Sequence, residues 1–425
     1  ELTLNDWHTL NIIENGANVT VKVDDITVLS SSSIQKTSYG RVGMFTENAS
    51  MYIDNFACNF SSGDIPQDGI LEYSILPNTL ATYLEIESID DNNLVAVNNK
   101  AKLASDDAGA TWKNVTYTSD YKKLYNKGTY VSLLKLHDGT YMQIQTGSEN
   151  LMSQTSSDLK TWTNGTNICS KAEQVDSSNR RLAIIHVNTL TEVKLSGDNY
   201  RVFCPVAFRV YDHSGELTTH ITKIYYTDDK GTTWNVSSTT SSDIYSNDDW
   251  SECKVIKCSD GTLRMYTTRN RTGYVSYTES TDNGLTWSGY NNITSLPCAV
   301  TSFAIAEDNG TYYMLWNPGI MDNEIYTCPR SRLCLLTSTN GKNWTFAMNC
   351  EYMDPTYTVE GDSIPLYQIL DPSITITDDY IYITFGRSIS EDEFSHNAQR
   401  VFYIRLDKDA IQTRNWSTNN LSSVI

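Results

Sequence analysis

The stretch STDNGLTW, Ser280 to Trp287, decides how this chain is read. It holds a serine, an aspartate, a glycine and a Thr-Trp pair within one octet. Such a cluster could surround a catalytic carboxylate, or it could be scaffold. Its copies separate the two. SDDAGATW runs from Ser105 to Trp112, and TDDKGTTW runs from Thr227 to Trp234. TSTNGKNW (337–344) is a decayed copy, SSDLKTW (156–162) is one residue short, and a faint trace ends at Trp416. A catalytic residue is needed once, not at every repeat. Asp282 is therefore read as a turn residue that accepts hydrogen bonds from nearby backbone N–H groups. The glycine supplies a positive φ. The tryptophan is expected to bury its ring between strands of its own repeat.

The tryptophans fall at 112, 162, 234, 287, 344 and 416. A spacing of roughly 50 residues indicates a propeller or a repeat array. Each unit has the same inner grammar of β-rich run, turn, second run and octet. It is plain in TYVSLLKLHDGTYMQIQT (129–146), SECKVIKCSDGTLRMYTTR (251–269) and SFAIAEDNGTYYMLWN (302–317). The turns His137-Asp138-Gly139, Ser259-Asp260-Gly261 and Asp308-Asn309-Gly310 are hairpin signals. DPSITITDDYIYITF (371–385) is the sixth unit and turns at Asp378-Asp379. Short strands repeated this way, with no helical pattern, predict an all-β fold: a six-bladed β-propeller over residues 70–425.

The first sixty residues differ. WHTLNIIENGANVTVKVDDITVL (7–29) alternates like strands around an Asn15-Gly16 turn, and GRVGMFTENASMYIDNFACNF (40–60) follows. Residues 1–60 are read as a partial β-sandwich. Half a sandwich leaves an open sheet edge, so residues upstream of Glu1 are expected. SSGDIPQDG (61–69), rich in turn residues, is read as the linker.

Composition narrows the partners. The chain has 425 residues, 39% hydrophobic and 20% charged, and a formal net charge of −19. That charge argues against nucleic acid and anionic membrane surfaces, which need clustered Lys and Arg. No apolar run approaches the roughly 18 residues of a membrane span. Nine cysteines form no CxxC pair, and buried thiols or a few disulfides are expected rather than a metal site. Twelve N-x-S/T sequons permit a secreted or extracellular glycoprotein. The acidic turns Asp228-Asp229 and Asp248-Asp249 are read as solvated rather than as calcium sites. No nucleotide loop, zinc spacing or nucleophile elbow is present, so no cofactor is expected.

S-x-D-x-G-x-T-W resembles the Asp-box (BNR) motif of the sialidase superfamily, a likeness that covers about residues 70–425. The N-terminal stretch resembles the closing half of a concanavalin-type lectin sandwich. The first resemblance implies a glycan-active propeller and the second a glycan-binding module; the partner implied is a glycan or glycoconjugate. Propeller ligands bind at one mouth of the central channel. The inner strands are placed to begin near Leu80, Tyr130, His186, Ser251, Val300 and Asp371. In Trp250-Ser-Glu252, the glutamate matches the family residue that activates the nucleophile, standing before a strand that ends in D-G-x-L. Arg269 matches the second carboxylate-binding arginine. Arg330 in CPRSRLCLLTS matches the third, with Arg332 as the other candidate.

Departures from the family pattern are equally clear. Asn78 to Tyr83 holds no arginine where the family has its first. Residues 92–107 leave almost no loop for the acid/base aspartate. Asp371 stands where the nucleophilic tyrosine should open the last blade, although Tyr367 lies four residues earlier. Two arginines without a third hold a carboxylate weakly.

A second reading follows from the residues themselves. Glu252 and Asp371 come from different blades and could face one another, as the acid and the base or nucleophile of glycoside hydrolysis. His186 opens the third blade and could act as a base or bond sugar hydroxyls, with Asn188 on the same strand side. Arg209 in FCPVAFR and Arg387 in FGRS could line the mouth. Trp250, Trp316 and Tyr367 could stack on sugar rings. The leading expectation is an exo-acting glycoside hydrolase whose sugar need not be sialic acid. A binding-only propeller and a polysaccharide lyase using His186 and a tyrosine are the alternatives.

Overall fold

The structure is a computed structural model. It describes residues 10–15, 18–24, 26–31, 70–76, 84–97, 102–114, 131–146, 150–159, 161–170, 172–174, 181–187, 189–212, 214–239, 245–246, 253–268, 273–298, 302–319, 332–352, 358–359, 362–363, 368–388 and 400–413. The chain divides into two compact units, Glu1–Asp54 and Asn55–Ile425. In the first, Leu10–Asn15, Asn18–Val23 and Ile26–Ser31 form an antiparallel three-stranded sheet. Asn15 opposes Asn18, so two residues, which lie outside the described ones, join the first two strands. The remainder of the expected half-sandwich, residues 40–60, lies outside the described residues, as does Trp416.

The second unit is a six-bladed β-propeller, and each blade is an antiparallel sheet. Blade 1 contains Glu85–Ser88, Leu94–Val97, Lys102–Ser105 and Lys113–Asn114. Blade 2 contains Val131–Lys135, Tyr141–Thr146, Asn150–Ser156 and Thr166–Ser170. In blade 3 the inner edge comes in two pieces, Arg181–Val187 and Thr191–Lys194, both paired to Tyr200–Tyr211. Leu217–Thr227 and Asn235–Val236 complete it. Blade 4 contains Cys253–Lys257, Leu263–Thr268, Tyr274–Ser280 and Asn291–Pro297. Blade 5 contains Ala304–Asp308, Thr311–Trp316, Arg332–Ser338 and Thr345–Tyr352. Blade 6 contains Gln368–Ile376, Tyr380–Ser388 and Arg400–Asp407, and its outer strand is Ile70–Ile75, from the start of the propeller. That pairing closes the ring with hydrogen bonds between its two ends. A single helix, Lys408–Thr413, is seen among the described residues. None there is long and apolar enough to cross a membrane.

The apolar core lies between blades. Leu94, Ala96 and Leu103 of blade 1 pack on Tyr382, Val401 and Tyr403 of blade 6. Val95 and Val97 turn the opposite way, onto Leu133 and Tyr141 of blade 2. Strand alternation allows this, because successive side chains point to opposite faces. The same sharing joins blades 2 and 3, 3 and 4, 4 and 5, and 5 and 6. Seven cysteines, Cys169, Cys204, Cys253, Cys258, Cys298, Cys334 and Cys350, are buried within this core.

The octets are turns at the ends of the third strands. In STDNGLTW, the Ser280 hydroxyl donates to Asp282 Oδ1 at 2.7 Å and accepts from the Gly284 N–H at 2.8 Å. The Thr286 N–H and hydroxyl donate to the two Asp282 oxygens at 2.9 and 2.6 Å. Ser105, Asp107, Gly109 and Thr111 repeat this network, and so do Thr227, Asp229, Gly231 and Thr233. The decayed octet keeps a version one residue shorter, in which Asn340 accepts from the Ser338 hydroxyl and from the Lys342 and Asn343 N–H groups.

One expectation is corrected. The tryptophan ring and its glycine lie between neighbouring blades rather than between strands of one repeat. Trp287, 1% exposed, stands edge-on to Phe203 of blade 3 at 6.1 Å. Trp344 meets Tyr266 of blade 4, and Trp112 meets Tyr403 of blade 6. The glycine makes this possible. At Gly284, φ is +82°, and a Cβ would come within 2.6 Å of the Phe203 ring.

Gly284→Ala should therefore lose on the order of 1–3 kcal/mol from the left-handed backbone and about 1–3 kcal/mol more from overpacking. Gly261→Ala, at φ +87° with nothing within 4 Å of the new Cβ, should lose the backbone part alone. Thermal unfolding of both variants measures the difference, and equal losses would refute the packing part.

Candidate active site at the channel mouth

All inner strands run in one direction, so their N-terminal ends form one mouth of the channel and their C-terminal ends the other. The octets and the first hairpin turns share the C-terminal face. Lys230 of the blade 3 octet pairs with Asp138 of the blade 2 hairpin, and Lys342 of the blade 5 octet bonds Asp260 of the blade 4 hairpin at 2.7 Å. Asp282 thus lies on the face away from the candidate site. Burial acts to lift its pKa, but bonds from the Thr286 hydroxyl and N–H and from Ser280 outweigh that and hold it at about 2. A carboxylate held so low stays ionised and cannot serve as a general acid near neutral pH.

Asp371 is on the inner strand of blade 6, at the N-terminal mouth. Leu370 opposes Gly386 and Ser373 opposes Thr384, so Asp371 and Pro372 bulge out opposite Phe385 alone. Asp371 has φ +46°, an unusual conformation for a residue with a side chain. Such backbone costs on the order of 1–3 kcal/mol and concentrates at functional sites. Bulges next to sites re-aim a side chain. The half-buried Asp371 carboxylate accepts a 2.6 Å bond from the Ser302 hydroxyl, in the segment that enters the inner strand of blade 5.

The other described candidates lie on the same side of the ring. Arg387 opposes Ile369 at the mouth end of blade 6, and its guanidinium sits 5.2 Å from the Phe402 ring centroid. In blade 3, Arg181–Val187 and the second half of Tyr200–Tyr211 continue past the inner strand Thr191–Lys194, so the blade rises above the mouth. His186 is on this extension opposite Ala207, just after a bulge. Arg209 is higher on it, opposite Ala183 and His220. In a ring of six, blade 3 stands across the channel from blade 6. Glu252, Tyr367, Arg269, Arg330, Asn188 and Trp250 lie outside the described residues, as do Asp248 and Asp249. Arg332 begins the third strand of blade 5.

Two expectations need correction. Trp316 is 1% exposed in the core between blades 4 and 5, so it cannot stack on a sugar. Asp228 is an ion-pair partner, bound by both Arg201 Nε and Nη2 at 2.7 Å. Asp229 is the octet aspartate.

The channel holds a cavity of about 860 Å³ whose lining includes Glu85, Glu87, Lys135, Lys254, Ser373 and Glu307 and reaches the hairpin residues Asp91, His137, Gly197 and Asp378 on the C-terminal face. No motif marks these residues. The alternation Glu85-Ile86-Glu87 shows one polar strand side, but sequence cannot tell a channel from bulk solvent. Glu85 accepts from the Leu133 N–H at 2.8 Å, and Lys254 donates to the Leu190 carbonyl at 3.2 Å, so the cluster ties together blades 1 to 4. Burial raises both carboxyls, Glu87 to about 8 with repulsion from Glu85 adding to the effect, and burial lowers Lys254.

A six-bladed ring of antiparallel sheets with clamping turns on one face is a sialidase-like β-propeller fold. The chain belongs to the BNR repeat-like domain family, whose model matches residues 141–362, more than half of its length. A protein of unknown function from Dyadobacter fermentans superposes with a TM-score of 0.54 at 13% identity, over 80% of this chain and 98% of that one. The Hadza microbial sialidase Hz136 superposes with a TM-score of 0.50 at 14% identity, over 93% of this chain and 74% of that one. At such identities the likeness is one of fold. No curated protein sequence matches the chain.

The channel carboxyls give stability a definite pH slope. Their folded pKa values lie above the ordinary carboxyl value, so their contribution is full below about pH 4.5 and is lost as pH rises toward 8. Glu87→Gln should flatten that slope and raise the unfolding midpoint at pH 8, by something of order 1 kcal/mol because the channel keeps the group partly solvated. Urea melts at pH 5 and pH 8 measure it; an unchanged slope would refute the assignment.

Proposed function

We propose that this protein is glycan-active and that its activity is exo-acting glycoside hydrolysis at the N-terminal mouth, with Glu252 and Asp371 as the carboxylate pair. The observation that carries the reading is Asp371, in a strained bulge at the channel mouth with one carboxylate oxygen held by Ser302. Membership of the BNR repeat-like family and a fold shared with a sialidase support the substrate class. In this reading a terminal sugar enters the mouth between blade 6 and the blade 3 extension. Asp371, whose second oxygen takes no hydrogen bond among the described residues, serves as base or nucleophile. Glu252, one residue before the inner strand of blade 4 in sequence, protonates the leaving oxygen. Tyr367 is the alternative nucleophile. Arg269, Arg330, Arg209, Arg387, Asn188 and Trp250 hold the sugar, and His186 bonds its hydroxyls. Twelve sequons support a secreted or extracellular location.

The residues Asn78 to Tyr83 favour a second reading, because no arginine stands there to complete a carboxylate-binding set. In that reading the mouth binds a glycan without cleaving it.

A panel of aryl glycosides that includes a sialoside decides between the two. The wild type should cleave at least one of them. Glu252→Gln and Asp371→Asn should each lower kcat about 10²-fold or more while the substrate still binds by calorimetry. Full turnover in either variant removes the carboxylate pair. No cleavage by the wild type, with retained glycan binding, establishes the binding-only propeller.

A further inference from the structure

We propose that Ser302 is a positioning residue that sets the direction of the Asp371 carboxylate at the channel mouth; this rests on the catalytic reading of Asp371. The backbone brings Asp371 to the mouth but does not by itself aim its side chain. Asp371 sits in a two-against-one bulge at φ +46°, followed directly by Pro372. Proline lacks an N–H, and the residue before it is sterically restricted, so this part of the strand cannot relax into regular pairing. A side chain on such a bulge projects at an angle that the ordinary alternation of the strand does not set. Something else must choose its rotamer.

Ser302 is the described residue that does so. Its hydroxyl donates to Asp371 Oδ1 at 2.6 Å, a short bond of the kind a carboxylate accepts from a hydroxyl. Among the described residues no hydrogen bond reaches Oδ2, which leaves that oxygen for a reacting atom. The two residues belong to different blades. Ser302 lies next to Phe303, whose ring is 9% exposed in the core between blades 4 and 5, so the donor is fixed by packing that Asp371 does not share. Leu370, just before Asp371, is buried at 1% exposure. Each side of the bond is thus anchored in its own blade, and the bond converts blade packing into carboxylate direction. Placement to within an ångström is worth about 10²-fold in rate for a group acting at a reacting centre.

Ser302→Ala and Ser302→Thr test this, with kinetics and crystal structures of both variants. Threonine keeps the hydroxyl. Ser302→Ala should lower kcat by ~10²-fold with KM changed less than threefold, and Ser302→Thr should recover most of the loss. In crystals of Ser302→Ala the Asp371 carboxylate should leave its wild-type position while the bulge persists. A carboxylate that stays in place overturns the proposal, with or without turnover. Wild-type kcat in Ser302→Ala, alongside a dead Asp371→Asn, overturns it and leaves the carboxylate-pair reading intact. Absence of turnover in the wild type overturns that reading and, with it, the catalytic role of Ser302.

Discussion

The ring is held by the close approach of one blade's turn glycine to side chains of the blade before it. Gly284 lies against Phe203, Gly109 against Tyr403 and Tyr382, Gly231 against Met142, and Gly341 against Ile256. Each of these glycines also has a positive φ. The aspartate and the hydroxyl residues shape the turn, and the turn carries the glycine and tryptophan into the neighbour. Side-chain donors then bond to backbone carbonyls across the joint. Arg201 donates to the Asn283 carbonyl and Ser237 to the Gly284 carbonyl, both at 2.6 Å, and the Tyr266 hydroxyl donates to the Gly341 carbonyl. A residue type chosen for a turn thereby determines the spacing of blades.

Ring closure follows from the same constraint and from one strand exchange. Ile70–Ile75 pairs with Arg400–Asp407, so blade 6 needs both ends of the propeller. Closure fixes six inner strands around one channel, with their starts at one mouth and their hairpins at the other. The inner-strand side chains then divide between the cores and the channel. Val255 and Ile256 enter the cores on either side of blade 4, while Lys254 turns into the channel with Glu85 and Glu87. The clamping face is occupied by turns and ion pairs. The Asp371 bulge sits at the opposite mouth.

Much of this was legible beforehand. The octets counted the blades, and His137-Asp138-Gly139, Ser259-Asp260-Gly261 and Asp308-Asn309-Gly310 located their hairpins, because turn chemistry is local and spelled in consecutive residues. Asp371 was legible as a polar residue at the start of an inner strand. Ser302 was not, because its importance depends on a partner 69 residues away in another blade. The blade 3 extension was also hidden, since Arg181–Val187 and Tyr200–Tyr211 read as ordinary strands and only their register shows that they overshoot. Trp316 misled for the opposite reason: an aromatic near a strand end looks the same whether it faces a mouth or a core.

By itself, then, the sequence determined the all-β class, the six repeats and the turn at each octet, because those properties depend on neighbours along the chain. Only the tertiary structure decided that the octet tryptophans seal joints between blades and that Ile70–Ile75 completes the last blade. It also decided that Glu85, Glu87 and Lys254 share a channel and that Ser302 reaches Asp371. Each of these depends on which strands become adjacent once the ring closes, and a linear pattern of residue types does not contain that adjacency.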